Sequence, residues 1–389
     1  MPERNLVLGV SGSIAAYKAV DLASKLTQAG VNVHTVMTEN ATKLVSPLSF
    51  SAITGRPATV DTFAAEKRFS IGHISLAELA DAVLIAPATA NVIGKIACGI
   101  ADDLLTSTVI ASRAPLIIAP AMHTAMWENA ATKANVETLR KRGVVFVGPA
   151  VGRLASGGFG RGRFAPLGEI LGVTLKVLGR GGDLSGRRIV VTAGGTREEI
   201  DPVRFIGNRS TGRMGYAIAA AARDRGAEVV LISGPTELPR PSGVEVIEAI
   251  SASDMHAAVR SALPADSLIM AAAVADYTPV ERAEGKIKKG DGKLILELER
   301  TDDILKSVPD VKVKVGFAAE SEDLIENAKR KLIEKKLDFI VANDVGGFGS
   351  EENRVTIIDR AGVEELPLLP KREVAERILD RVVRLLGEG

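Results

Sequence analysis

The chain opens with an apolar run, Leu6 to Val10, that is too short and too continuous for an amphipathic helix. Ser11-Gly12-Ser13 breaks it, and Ile14, Ala15, Ala19, Ala23 and Leu26 then recur at helical spacing as far as Gly30. Val31 to Met37 reads as the next strand. Strand, turn, helix, strand is the front of a βαβ unit, which implies a parallel sheet. The runs Ala82–Ala86, Leu116–Ala119 and Val144–Val147 predict three further strands with helical stretches between them. Beyond Gly148 the texture changes. Glycines at 152, 157, 158, 160 and 162 stand among arginines, and this segment reads as a mobile flap, not a strand. Leu167 to Leu178 predicts a helix, and Gly179-Arg180-Gly181-Gly182 reads as a linker.

The opening plan then repeats. Ile189–Thr192 is a strand, Ala193-Gly194-Gly195-Thr196 a glycine turn, Tyr216–Arg225 an alanine-rich helix and Glu228–Ile232 the following strand. Gly30-Val31-Asn32-Val33 and Gly226-Ala227-Glu228-Val229 make matching helix-to-strand joints. The predicted class is α/β with two domains, residues 1–180 and 181–389, and a length of 389 residues suits that. The second domain has a long polar insert, Arg197 to Arg213, between its first strand and helix, where open α/β sheets bind ligands.

Composition narrows the field. A formal net charge of +1 gives no case for nucleic acid. The single cysteine, Cys98, excludes an internal disulfide, fits a reducing cytoplasm and is read as a small buried apolar residue. No charged-then-apolar leader opens the chain and its apolar runs fall short of a bilayer, so no membrane partner is expected.

Ser11-Gly12-Ser13 sits where a strand passes into a helix. Exposed amides and the helix dipole favour a phosphate there, and the hydroxyls would add donors. The bland reading is a helix cap with no ligand. Three more segments are expected near the carboxyl ends of parallel strands, where sites form: Gly72-His73-Ile74, Ala86-Pro87-Ala88-Thr89-Ala90-Asn91, and Pro120-Ala121-Met122-His123-Thr124-Ala125-Met126-Trp127. His73 is a candidate base or carboxylate partner, with a simple helix cap as its alternative. Met122, Met126 and Trp127 are by default core packing, and His34 and His256 read as structural or surface.

With Gly-Val-Ser-Gly-Ser-Ile-Ala-Ala-Tyr-Lys at 9–18, these motifs carry a resemblance to the homo-oligomeric flavin-containing cysteine decarboxylases. From about residue 5 to the last helix, the chain is similar to the family of bifunctional phosphopantothenoylcysteine decarboxylases/phosphopantothenate–cysteine ligases. The resemblance implies a flavodoxin-like or Rossmann-like flavoprotein domain that binds FMN through Ser11, Gly12, Ser13, Thr38, Ala88 and Thr89. It implies trimers with flavin sites between subunits. In that family the flavin oxidises the cysteine moiety of 4′-phosphopantothenoylcysteine, carbon dioxide leaves, and a hydride returns to give 4′-phosphopantetheine. His73 matches the family's active-site histidine, and His123 and Met126 fall in its substrate-binding motif. Asparagine is usual where His123 stands; a histidine still donates from one ring nitrogen. A cysteine, the family's proton donor in the last reduction, is usual where Ser156 stands. A hydroxyl is a far weaker acid than a thiol, so decarboxylation is expected to proceed with its final reduction slowed.

In the second half, Asp201-Pro202-Val203-Arg204 and Asn208-Arg209-Ser210-Thr211-Gly212-Arg213-Met214-Gly215 lead into a helix. Ala271-Ala272-Ala273-Val274-Ala275-Asp276-Tyr277 reads as a strand ending in a carboxylate. Lys286-Ile287-Lys288-Lys289 follows, and Lys331 and Lys335 share a helix face at i,i+4 spacing. A basic run is ordinarily a solvated face; here it is also suited to a triphosphate. These segments are similar to the ligase half of the same family. That resemblance implies CTP and Mg²⁺, with 4′-phosphopantothenate activated as an acyl-cytidylate that cysteine attacks. Asn208 matches the residue that stabilises the acyl-cytidylate, Arg204 lies in the substrate segment, and Lys286 matches the lysine of amine transfer. Asp276, Lys286, Asp303, Ile304, Phe317, Lys331 and Lys335 match nucleotide positions. The motifs do not separate CTP from ATP. Ligase domains of the family pair as dimers, and trimers with dimers would generate an assembly such as a dodecamer. The alternatives are a ligase whose flavoprotein domain is regulatory, and, from generic βαβ turns alone, a nicotinamide oxidoreductase.

Overall fold

The apolar runs of the first half become one parallel sheet with helices on both faces. The computed structural model describes residues 4–61, 72–179, 181–289, 293–308, 311–320, 324–344 and 350–387. In chain order the first half contains β1 (Arg4–Val10), α1 (Ala16–Gln28), β2 (Val31–Met37), α2 (Glu39–Thr42), α3 (Pro47–Thr54), α4 (Gly72–Leu79), β3 (Ala82–Ala88), α5 (Ala90–Cys98), α6 (Leu104–Ala111), β4 (Leu116–Pro120), α7 (Thr124–Glu128), α8 (Ala130–Lys141) and β5 (Val145–Phe146). A two-stranded hairpin, β6 (Ala150–Arg153) and β7 (Phe159–Arg163), and α9 (Leu167–Leu178) complete it. The sheet runs β2-β1-β3-β4-β5, every pair parallel. That is the flavodoxin-like order, with its switch point between β1 and β3. Period-two alternation splits the strands between two cores. Leu6, Leu8, Leu84 and Ile117 face α1 and α9, while Val7, Val83, Ile85 and Ile118 face α5, α6 and α8. Truncating a fully buried leucine such as Leu84 to alanine costs about 2–5 kcal/mol.

Two expectations for this half are corrected. The glycine-rich segment 152–162 forms a hairpin, with Ala150–Arg153 antiparallel to Phe159–Arg163. Its glycines serve close approach. A Cβ at Gly160 would lie 2.4 Å from Thr124 Oγ1, and one at Gly162, whose φ is +146°, would lie 2.3 Å from the Met122 carbonyl oxygen. Only glycine lets β7 lie against residues 122–124. Cys98 is exposed, not buried. It ends α5 on the solvent side, just before the left-handed cap Gly99.

The second half contains β8 (Arg188–Ala193), β9 (Arg197–Glu199), β10 (Phe205–Gly207), α10 (Arg213–Asp224), β11 (Glu228–Ser233), β12 (Glu245–Glu248), α11 (Ala252–Ala262), β13 (Ser267–Met270), β14 (Tyr277–Pro279), β15 (Leu298–Arg300), α12 (Ile304–Ser307), β16 (Val313–Glu320), α13 (Leu324–Glu334), β17 (Phe339–Asp344), β18 (Glu352–Asn353), β19 (Val355–Asp359), β20 (Val363–Glu365), β21 (Leu369–Pro370) and α14 (Lys371–Gly387). Its main sheet runs β12-β11-β8-β13-β16-β17-β19-β20, parallel from β12 to β17 and antiparallel beyond. α10 and α14 cover one face through Ile218, Val374 and Ile378. α11, α12 and α13 cover the other through Met255, Ile304 and Leu332. By its internal contacts the chain divides into units 1–178 and 179–389.

Of the glycine linker, Arg180 lies outside the described residues. Gly179 and Gly182 press on the Asp224 and Arg225 carbonyls, so close that a Cβ would meet them at 2.6 and 2.4 Å. Residues 271–277 do not continue a strand. β13 ends at Met270, and residues 271–276 leave it as a loop. Threonine hydroxyls capture its amides: Ala272 N donates to Thr192 Oγ1 at 3.1 Å and Ala275 N to Thr196 Oγ1 at 2.9 Å. Side-chain acceptors thereby take two of its amides, and of a strand's ladder there remains an isolated bridge of Ala273 to Gly195, with Ala273 N donating to Gly194 O at 2.8 Å.

Candidate active sites

The carboxyl ends of β1, β3 and β4 are laced together. Ser11 Oγ, fully buried, donates to the Pro87 carbonyl at 2.7 Å and accepts from Thr89 N at 3.0 Å. Ser13 Oγ donates to the Ala121 carbonyl at 3.2 Å, and Ala121 N donates to the Ala88 carbonyl at 3.0 Å. Met122 N donates to the Gly162 carbonyl at 2.9 Å, which fixes the hairpin to the same edge. Gly12 packs on α2, where a Cβ would stand 2.6 Å from that of Asn40. Thr38 caps α2 and Thr89 caps α5, each by accepting an amide. Segments 11–13, 38, 88–89 and 121–123 therefore converge at the switch point. One detail differs from the sequence reading. The Ser11 and Ser13 protons, hydroxyl and amide alike, are committed to carbonyls within the fold, with Ser11 N donating to Pro87 O at 3.2 Å and Ser13 N to Ser11 O at 2.7 Å, so among the described residues the Gly12 amide is what this turn offers an anion.

His123 is the N-cap of α7: its Nδ1 accepts from Ala125 N at 3.2 Å, which leaves Nε2 to carry the proton of the neutral ring. Met126 is half exposed, contrary to a core role, whereas Trp127 is buried with the Arg161 guanidinium 5.8 Å from its ring centroid. α4 ends at the amino edge of the sheet, where Asp81 N donates to Asn5 O, so its first turn, with His73, is the end farther from that edge. Among the described residues no hydrogen bond joins His73 to the Ser11–Ser13 turn, and its Nδ1 is buried without a partner. Ser156 is exposed at the tip of the hairpin, where Gly157 N turns back to Leu154 O at 2.9 Å. His34 is half-buried with an unpartnered Nε2; burial and then the Arg56 charge hold it below the ordinary histidine range. His256 shares a 2.7 Å hydrogen bond with Ser307 Oγ beside α12. Both read as structural.

In the second half a cleft of about 680 Å³ opens at the carboxyl ends of β8, β13 and β16. Asn208, Asp276, Asp303, Ile304, Phe317, Lys331 and Lys335 all line it. Asn208 Nδ2 donates to Val274 O at 2.9 Å, across the mouth of the loop after β13. Asp303 caps α12 and pairs with Lys335 at 3.1 Å. Thr301 Oγ1 donates to Ala275 O at 2.6 Å, which sets Asp276 beside the β15 end. The cleft draws residues from both faces of the sheet, as a switch-point crevice does.

Arg204 and Lys286 do not line this cleft, yet one buried carboxylate joins them. Asp201, 1% exposed, accepts from Val203 N and Arg204 N at 2.8 and 2.7 Å, from Arg204 Nη1 at 2.8 Å and from Ile287 N at 3.2 Å. Arg204 Nη1 also donates to the Ile287 carbonyl at 3.2 Å. Burial pushes the Asp201 carboxyl up, but the three backbone amides and Arg204 outweigh it and hold it below the ordinary carboxylate range. The basic segment 286–289 is thus moored at the residue after Lys286, which is itself exposed.

Sequence reasoning gave no role to Arg213, Asn353 or Lys371, all of which line the cleft. The signal available was a lysine opening a helix, where acidic residues are favoured. Among the described residues no group of three or more His, Cys, Asp or Glu side chains is placed to hold a metal ion, and no helix is long and apolar enough to cross a membrane.

Two α/β units, each with a candidate site at its strand ends, define a two-part nucleotide-fold protein. Residues 1–179 match the family model described as flavoprotein, and residues 184–386 the model described as DNA/pantothenate metabolism flavoprotein C-terminal domain. The chain is 48% identical over 394 residues to the coenzyme A biosynthesis bifunctional protein CoaBC of Bacillus subtilis (strain 168), covering 98% of this chain and 97% of that one. It is 44% identical to the CoaBC protein of Mycobacterium tuberculosis (strain ATCC 25618 / H37Rv), covering 99% and 97%. A solved C-terminal domain of a CoaBC protein is 45% identical with a TM-score of 0.47, covering 53% of this chain and 99% of that one. A PPC decarboxylase mutant complexed with pantothenoylaminoethenethiol is 33% identical with a TM-score of 0.40, covering 44% and 96%. This chain belongs to the family of bifunctional CoaBC proteins of coenzyme A biosynthesis.

Proposed function

We propose that residues 181–389 join cysteine to 4′-phosphopantothenate at the expense of CTP, and that residues 1–180 decarboxylate the product to 4′-phosphopantetheine with FMN. The observation that carries the ligase reading is the convergence of seven separately assigned positions, from Asn208 to Lys335, on one cleft. A carboxylate becomes an acyl donor only when its oxygen is made a leaving group, as in an acyl-cytidylate. Asn208 is then the donor to that acyl group, Lys331 and Lys335 neutralise phosphate charge, and Asp276 would supply a carboxylate to a Mg²⁺ that arrives with the nucleotide. Arg204 and Lys286, moored together by Asp201, hold substrate and assist amine transfer; they reach a bound nucleotide by closure of the segment or from a second protomer of a dimer.

Three features of the first unit fit FMN. Its turn sets the Gly12 amide at the switch point, it has a threonine-capped helix, and two buried polar atoms, His73 Nδ1 and Thr124 Oγ1, have no partner among the described residues. FMN bound there supplies the two-electron chemistry. Ser11, Gly12, Ser13, Thr38, Ala88 and Thr89 position it, His123 and Met126 contact substrate, and His73 holds the substrate carboxylate or a proton. Trimers of this unit, in a cytoplasmic homo-oligomer, belong to the same reading.

Ser156 stands where the reading needs an acid at the hairpin tip. The test supplies phosphopantothenate, cysteine, CTP and Mg²⁺ to the purified chain and follows products by mass. The amide, then the enethiol, then a slow rise of phosphopantetheine are expected, with Ser156→Cys accelerating only the last. Colourless protein that leaves CTP intact overturns the assignment. Ligation without any carbon dioxide release favours a regulatory flavoprotein unit.

A further inference from the structure

Lys371 is the first residue of the 17-residue helix α14 and is only 9% exposed. Three features oppose a cation there. It sits at a helix N-terminus, where the dipole favours negative charge. It is buried, which penalises the charged form. Finally, Arg213, the first residue of α10, is close enough to repel it: burial, then the Arg213 charge, hold the ammonium below the ordinary lysine range. Among the described residues no carboxylate pairs with Lys371; its amino group reaches only the Ser350 carbonyl. Arg213 keeps an ion pair, with the exposed Glu351.

The position is nonetheless built with care. β18 pairs with β21 through Glu352–Pro370 and Asn353–Leu369, and Lys371 N donates to Glu351 O at 3.0 Å. Asn353 is 6% exposed, lines the same cleft, and its side chain has no protein partner among the described residues. α10 packs on α14, so two helix starts, two cations and an unpartnered amide meet at one end of the cleft. They lie on the α10/α14 face, whereas Lys331, Lys335 and Asp303 come from the α12/α13 face.

We propose that Lys371, with Arg213 and Asn353, forms a second phosphate-binding pole of the ligase cleft, facing the Lys331–Lys335 pole across the sheet edge. The inference rests on the ligase reading. A phosphoryl group there relieves the like-charge repulsion and gives the buried ammonium the anionic partner it lacks. The two sources of such a group are the nucleotide's phosphates and the phosphate of 4′-phosphopantothenate.

Calorimetric titration of the full chain with CTP–Mg²⁺ and, separately, with 4′-phosphopantothenate distinguishes them. Lys371→Met is expected to weaken one of the two ligands about tenfold or more, the scale of one lost charge-assisted hydrogen bond. Lys371→Arg is expected to recover part of that loss. Selective weakening of CTP assigns the pole to the nucleotide, and selective weakening of phosphopantothenate assigns it to the acyl substrate. Should Lys371→Met not fold, Arg213→Met, at a half-exposed position, serves in its place with the same expectation. Wild-type affinities for both ligands in a folded variant overturn the phosphate pole while leaving the ligase reading intact. Wild-type protein that binds neither ligand sinks the ligase reading itself.

Discussion

Asp201 shows how much one side chain organises. Its four hydrogen bonds hold the turn that presents Arg204 and fix Ile287, the neighbour of Lys286. Asp201→Asn keeps the shape but turns one acceptor into a donor facing Arg204 and the Ile287 amide. Ligation kcat/KM is expected to fall at least tenfold, while decarboxylation of supplied phosphopantothenoylcysteine is unchanged. The pH dependence has a definite sign. The folded carboxyl titrates below its unfolded value, so its contribution to stability is complete above the ordinary carboxylate pKa of about 4 and is lost as pH falls through the depressed folded value. The melting-temperature gap between wild type and Asp201→Asn should therefore be widest near neutrality and close in acid. A gap that persists to the lowest pH at which the fold survives would contradict this role.

At the level of elements, the hairpin 150–163 makes the clearest case. Gly162 combines a φ of +146° with a Cβ position 2.3 Å from the Met122 carbonyl oxygen, so Gly162→Ala meets both backbone strain and a clash. A local loss of about 1–3 kcal/mol is expected, enough to lift β7 from residues 122–124. Limited proteolysis should then cut near Ser156 faster than in wild type, with decarboxylation impaired and ligation retained. Unchanged cleavage would mean that β7 is held elsewhere. The same hairpin marks a boundary of what sequence pattern reveals. Strands β1 to β4 and helix α9 were legible because their apolar residues repeat locally, and both strand-end turns were legible because glycine and serine interrupt those repeats. Segment 152–162 was not, because its two strands pair with each other through glycines that answer to a distant surface, residues 122–124. Residues 271–276 misled in the opposite sense: an apolar run resembles a strand until Thr192 and Thr196 take its amides.

The candidate sites follow the same rule at the scale of the molecule. Asn208 and Asp276 line the cleft as their motifs suggested, although Asp276 does so from a loop and not from the predicted strand end. Lys371 was not legible, since only the return of the last helix against α10 carries it to the cleft. Each unit has its own sheet and its own cores, and the candidate residues for each chemistry lie within one unit, which bears on how the two chemistries combine. If each site works with residues of its own unit type, a lesion in one leaves the other's chemistry whole. His73→Asn should then accumulate phosphopantothenoylcysteine from phosphopantothenate, cysteine and CTP. Asn208→Ala should decarboxylate that compound when it is supplied but not make it. Mixing the two variants at equal concentration should restore net synthesis of phosphopantetheine after a lag, because the amide must leave one protein and find another. The lag should shorten as total protein rises, as a second-order encounter requires. Restoration without a lag would mean direct transfer between sites or exchange of subunits. No restoration, with both partial activities intact, would mean that the intermediate does not escape into solution.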